Sequence, residues 1–123
     1  MSQRFRRHVR VKTRAEFDAV KNEGRRMSMR YLTLQARPNA LESDRLGIIA
    51  SRRLGGAVVR NRAKRRLREV FRLGEPDQAA AQGHRSLDLV AIPRRELIEA
   101  PFAVIRTEFA DALTKFRKIF TAH

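Results

Sequence analysis

Residues Arg45 to Arg72 read RLGIIASRRLGGAVVRNRAKRRLREVFR, and within them the hydrophobic period changes. Arg45 to Ser51 (RLGIIAS) is a short apolar run with the pattern of a strand. After Gly55 and Gly56 the spacing turns helical, with Val59, Ala63, Leu67, Val70 and Phe71 on one stripe until Gly74 and Pro76 end it. On a 3.6-residue wheel Asn61, Lys64, Arg65, Arg68 and Arg72 lie opposite that stripe, and Arg62 and Arg66 flank it. The helix therefore has one face for a core and one that is cationic. A charged face is ordinarily just solvated, but this one is poor for stability. Arg60, Lys64, Arg68 and Arg72 are like charges four residues apart, and each such pair costs about 0.2–0.5 kcal/mol. Arg60 and Arg62 also stand near the positive end of the helix dipole. An anionic partner reverses both penalties. The planar fork of arginine, the dominant cation here, suits phosphate oxygens and base edges, which favours a nucleic acid over a generic acidic protein.

Upstream, Thr13 followed by Glu16 makes a capping box, and Phe17 and Val20 form an apolar edge before Gly24, so residues 13–23 are expected to form a short first helix. Met27 to Ala36 (MSMRYLTLQA) reads as one strand, with Met27, Met29, Tyr31 and Thr33 on one face and Leu32, Leu34 and Ala36 on the other. Pro38 and Asn39 break it, Glu42 to Asp44 form a polar turn, and Arg45 to Ser51 returns beside it as the second half of a hairpin. Downstream, Pro76 to Ser86 is a loop, and Leu87 to Pro93 (LDLVAIP) is a near-continuous apolar strand of the buried kind. A last helix begins at Pro101 and aligns Phe102, Ile105, Phe109, Leu113, Phe116 and Phe120. The order αββαβα, with no internal repeat, describes a compact α+β fold: one domain over residues 1–123, a small mixed sheet covered by helices.

The chain has 123 residues and a formal charge of +15. Residues 1–14 hold Arg4, Arg6, Arg7, Arg10, Lys12 and Arg14 and no acid; residues 52–72 hold nine basic side chains against Glu69 alone. The remainder, with thirteen basic and twelve acidic groups, is an ordinary mixed surface. Charge so concentrated points to one anionic footprint, with residues 1–12 as a mobile basic arm. With no cysteine there is no disulfide framework, thiolate zinc site or cysteine nucleophile. The apolar runs are far short of the roughly 20 residues that span a bilayer. His8, His84 and His123 are isolated, and no metal-ligand spacing occurs. The acid pairs Glu42 with Asp44 and Glu96 with Glu99 read as solvated surface charge. Gly55 and Gly56 lack the remaining residues of a phosphate loop. No catalytic residue and no metal ligand is expected.

The stretch Arg45 to Arg72 strongly resembles the protein subunit of bacterial ribonuclease P. The match runs through the basic pair Arg52-Arg53, a glycine, Ala57-Val58, the triplet Arg60-Asn61-Arg62, Lys64-Arg65 and a closing Arg68-Glu69 before Phe71-Arg72. The flanking elements follow in the family's order. The resemblance implies an accessory subunit for a catalytic RNA that removes the 5′ leader of precursor tRNA. The chemistry would belong to the RNA, Mg2+ would be held by the RNA and the substrate, and the protein would bind no cofactor itself. Ribonuclease P RNA and precursor tRNA are the implied partners, with neither membrane nor DNA, in the cytoplasm. By the same resemblance Arg52, Arg53, Arg60, Asn61, Arg62, Lys64, Arg65 and Arg68 would contact the RNA. A cleft between the first helix and the sheet would hold the single-stranded leader, with Phe17 as an aromatic contact. Lys21 stands where a second aromatic is common, and Tyr31 joins them on the logic of an aromatic beside cations. The resemblance also implies a left-handed βαβ crossover, against the usual right-handed rule. A structural ribosomal protein would share the size and charge without needing the Arg-Asn-Arg helix. A DNA-binding regulator would show a more selective recognition helix.

Overall fold

Alternation along two segments, residues 32–36 and 87–91, builds the centre of the molecule. The computed structural model describes residues 10–121. It contains α1 (Arg14–Glu23), β1 (Arg25–Ser28), β2 (Leu32–Pro38), β3 (Arg45–Ile48), α2 (Ala57–Leu73), β4 (Leu87–Pro93) and α3 (Phe102–Thr121), with short 3-10 turns at Arg52–Leu54, Pro76–Gln78 and Arg95–Leu97. The four strands form one mixed sheet in the order β1-β2-β4-β3. β2 runs antiparallel to both β1 and β4, and β3 runs parallel to β4.

Two expectations about the sheet are corrected. The stretch from Met27 to Ala36 is two strands: the chain reverses at Met29 to Tyr31, where the Met29 N–H donates to the Leu32 carbonyl at 2.9 Å, and Met27 pairs with Leu34. The expected hairpin between the strands before and after Pro38 does not exist, because β4 lies between β2 and β3 and bonds to both. Burial on both faces explains this. β4 is the most continuously apolar strand and takes a central place, with Leu87, Leu89, Val90 and Ala91 fully buried.

Leu32, Leu34 and Ala36 of β2 with Leu87, Leu89 and Ala91 of β4 face α2 and α3, which contribute Ala63, Leu67, Val70 and Phe71 and Ile105, Phe109, Ala112 and Phe116. This is the main core; the stripes read from the sequence supply most of its helical side, with Ala112 added and Phe102, Leu113 and Phe120 only partly buried against it. The opposite sheet face carries Thr33, Gln35 and Val90, all buried. α1 packs there, and its N-cap is the expected capping box: Glu16 N–H donates to Thr13 Oγ1 at 3.1 Å and Thr13 N–H to Glu16 Oε1 at 3.0 Å.

Asp44 is also corrected. It is buried, with side-chain oxygens accepting the Leu87 N–H at 2.8 Å and Arg117 Nη2 at 2.6 Å. A carboxylate that reads as turn polarity ties the 39–44 connection to β4 and α3. Of the expected basic arm, residues 10–12 are part of the fold: Val11 is buried, its N–H donates to the Leu46 carbonyl at 3.1 Å, and Arg10 bridges Leu46 in parallel. Residues 1–9 lie outside the described residues.

Candidate nucleic-acid interface

The β3–α2 connection turns through Gly55, whose φ of 147° is closed to residues with a side chain. Arg52 and Arg53 are exposed on that turn. α2 then places its polar and cationic side chains in three directions. Asn61 and Arg65 face solvent. Arg62 and Arg66 lean toward the β4–α3 connection, where Arg62 pairs with Glu99 at 3.8 Å and Arg66 donates to the carbonyls of Ile98 and Ala100. Arg66 is thereby a tie between α2 and the connection. Lys64 and Arg68 lean the other way, into a cleft of about 310 Å³ between α2, β3, α1 and the N-terminal segment. Arg60 is half-buried, and Arg72 is bound to Glu69 through two hydrogen bonds of 2.9 and 2.6 Å.

The cleft has an apolar floor of Val11, Phe17, Leu46, Gly47 and Ile48 and a cationic rim of Arg10, Lys12, Lys64 and Arg68. Among the described residues no carboxylate lines it. A neighbouring hollow shares Phe17, Ile48 and Lys64 and adds Arg14, Ile49 and Ala50, so the groove continues past the ring of Phe17. The ring lies directly on Gly47: a methyl there would stand 2.6 Å from Phe17 Cε1 and Cζ. Partial burial and the nearby Arg10 charge pull the Arg68 pKa below its ordinary value, burial being the larger cause. Two guanidinium groups from distant segments thus converge where an anion would relieve their repulsion.

Of the residues expected to form the cleft, only Phe17 lines it. Lys21 is exposed on the last turn of α1. Tyr31 sits at the β1–β2 reversal and packs toward the main core; its N–H donates to Glu108 of α3 at 3.1 Å and the Arg30 guanidinium lies 5.3 Å from its ring centroid. The reading of Tyr31 as a cleft residue fails because the turn at Met29 to Tyr31 reverses the chain before it. Arg10, Lys12, Gly47 and Ile48 complete the cleft without having been expected there. Their signal in the sequence is partial, a basic run at residues 10–14.

Fold and site together define a small basic α/β protein whose cations gather on one helix and around an adjoining groove that holds an aromatic ring, the charge pattern of a nucleic-acid-binding domain. The Ribonuclease P family model matches residues 5–117. The chain is 41% identical over 104 residues to the ribonuclease P protein component of Chloroflexus aggregans, covering 85% of this chain and 74% of that protein. It is 34% identical over 99 residues to the component from Thermotoga maritima, covering 80% of each. The solved Staphylococcus aureus RNase P protein superposes with a TM-score of 0.71 at 26% identity, covering 89% of this chain and 97% of that one. The Thermotoga maritima RNase P protein gives 0.70 at 29% identity, covering 86% and 96%. The chain belongs to the ribonuclease P protein family and is a protein subunit of this tRNA-processing endoribonuclease.

Proposed function

We propose that Arg52 and Arg53 on the turn before α2, together with Arg60, Asn61, Arg62 and Arg65 of α2, dock on the ribonuclease P RNA, while the cleft takes the single-stranded 5′ leader of precursor tRNA. The observation that carries this reading is the meeting of one aromatic ring with Arg10, Lys12, Lys64 and Arg68 around a narrow groove beside that helix. Bases stack on an aromatic face whatever their identity, and cations spaced along the groove follow the phosphates. A cleft built this way holds leaders of differing sequence. The protein supplies grip and orientation; the RNA carries the cleavage chemistry together with its Mg2+, and no protein side chain acts on the scissile bond. The cytoplasm, where a bacterial precursor tRNA is made, is the compartment this role requires. Among the described residues no helix is long and apolar enough to cross a membrane.

Reconstitution tests the reading. A bacterial ribonuclease P RNA at low magnesium, given precursor tRNA, should release the leader when this chain is added, and the chain alone should cut nothing. Binding to that RNA no tighter than to unrelated RNA, with no gain in cleavage, would refute it.

A further inference from the structure

Arg45, at the start of β3, lies between two carboxylates from different elements. Its Nε and Nη2 donate to Asp88 Oδ1 and Oδ2 on β4 at 2.8 and 2.7 Å, a bidentate fork. Its Nη1 donates to Glu16 Oε2 on α1 at 3.0 Å. Glu16 Oε1 meanwhile accepts the backbone N–H groups of Lys12 at 2.8 Å and Thr13 at 3.0 Å. Asn39 Nδ2 completes the cluster by donating to Asp88 Oδ1 at 2.9 Å. The Arg45 and Asp88 side chains are 16% and 7% exposed, and Glu16 is 32% exposed. Glu16 is thus a junction between the cap of α1, the backbone that leads into the cleft rim at Lys12, and the sheet.

Residue spacing links this junction to the groove. Phe17 follows Glu16 directly, and Gly47, on which its ring rests, lies two residues after Arg45 on the same face of β3. Rotation of α1 about its axis, or a slide along the sheet, would move the ring off Gly47, and among the described residues Val20 is the only fully buried anchor of the helix. A cap and a ladder would be enough to make the helix. They do not set its height over the sheet. A planar guanidinium held by a fork on one side and a single bond on the other has little freedom to do anything else.

We propose that Arg45, held between Asp88 and Glu16, is a positioning residue that sets the placement of α1 and so holds Phe17 and the 10–12 segment at the leader-binding distance from α2. The inference rests on the cleft being the leader site. It assigns no contact between Arg45 and RNA; the residue acts through Phe17.

Glu16→Gln is the sharpest test, because glutamine can still close the capping box while the charge that engages Arg45 is removed. Holoenzyme assembled with a bacterial ribonuclease P RNA would be titrated with fluorescent precursor tRNA carrying a long leader and, separately, with mature tRNA. Glu16→Gln should reduce the preference for the long leader about fivefold, with mature tRNA bound as before. In a Phe17→Ala background the same change should have no further effect, since the residue through which it acts is gone. Arg45→Lys, which keeps the charge but loses the planar fork on Asp88, should lose leader preference too, with circular dichroism unchanged. Equal losses for both tRNAs, or an effect that adds in full to that of Phe17→Ala, would overturn the positioning role. If Phe17→Ala alone leaves leader preference intact, it is the cleft assignment that fails, and this inference falls with it.

Discussion

Gly47→Ala probes the floor of the groove with one carbon atom. The backbone at Gly47 is ordinary strand, outside the positive-φ region, so the substitution by itself would stabilise the chain by about 0.4–1 kcal/mol through its unfolded state. The new methyl, however, would lie 2.6 Å from Cε1 and Cζ of Phe17 and 3.0 Å from Val11 Cβ. Carbon atoms rest at about 3.5–4.0 Å, so the ring must retreat by roughly 1 Å. Overpacking of that size costs about 1–3 kcal/mol. The ring is half-buried and can yield toward the open groove, which puts the cost near 2 kcal/mol and the net destabilisation near 1 kcal/mol. For a domain of this length that is a fall in Tm of about 4 °C. Leader binding should suffer more than stability, because the displaced ring occupies the space a base would use. Thermal melts followed by circular dichroism give the first quantity, and anisotropy with long-leader against leaderless tRNA the second. Phe17→Leu removes the clashing ring atoms, so in that background Gly47→Ala should lose most of its effect on Tm. A Gly47→Ala protein as stable as the parent, or equally destabilised with Phe17→Leu present, would refute the packing described here.

Arg65→Ala and Arg62→Ala should each weaken binding to ribonuclease P RNA and lower the slope of log K against log salt by about 0.7–0.9 for each phosphate that the side chain neutralises, with unchanged circular dichroism; an unaltered slope would remove that residue from the interface. Glu16 is pulled down to about 2, first by the backbone N–H groups of Thr13 and Lys12 and further by Arg45. Its contribution is therefore present above the ordinary carboxylate range and disappears as pH falls from about 4.5 toward 2. After discount for its partial exposure this is on the order of 2 kcal/mol, and a Glu16→Gln protein should show a flatter loss of stability over that interval in urea titrations. Asp44→Ala should cost about 3–5 kcal/mol, because it strands the Arg117 guanidinium and the Leu87 N–H in the interior; a Tm within a few degrees of the parent would show that water replaces the carboxylate.

What was legible from residues alone was everything settled within a few positions along the chain. The Thr13–Glu16 box and Gly24 bound the first helix, the stripe from Ala63 to Phe71 and the phenylalanines of α3 mark the buried faces, and the arginines opposite the stripe announce a polyanion. Such features depend on bonds and faces that repeat every three to four residues, so the local sequence contains both partners. Pairing between strands is different in kind. Nothing between Met29 and Tyr31 carries the Gly, Pro, Asn or Asp that usually marks a reversal, and no local feature says that β4 will separate β2 from β3. Asp44 and Asp88 look like ordinary polar residues until Arg117 and Arg45 arrive from 73 and 43 positions away. The cleft exists only in three dimensions for the same reason: Val11, Phe17, Gly47, Lys64 and Arg68 meet because the sheet order brings β3 to the edge, where the N-terminal segment closes on one side and α2 on the other. Burial of the most apolar strand decides that order, and burial is a property of the whole chain.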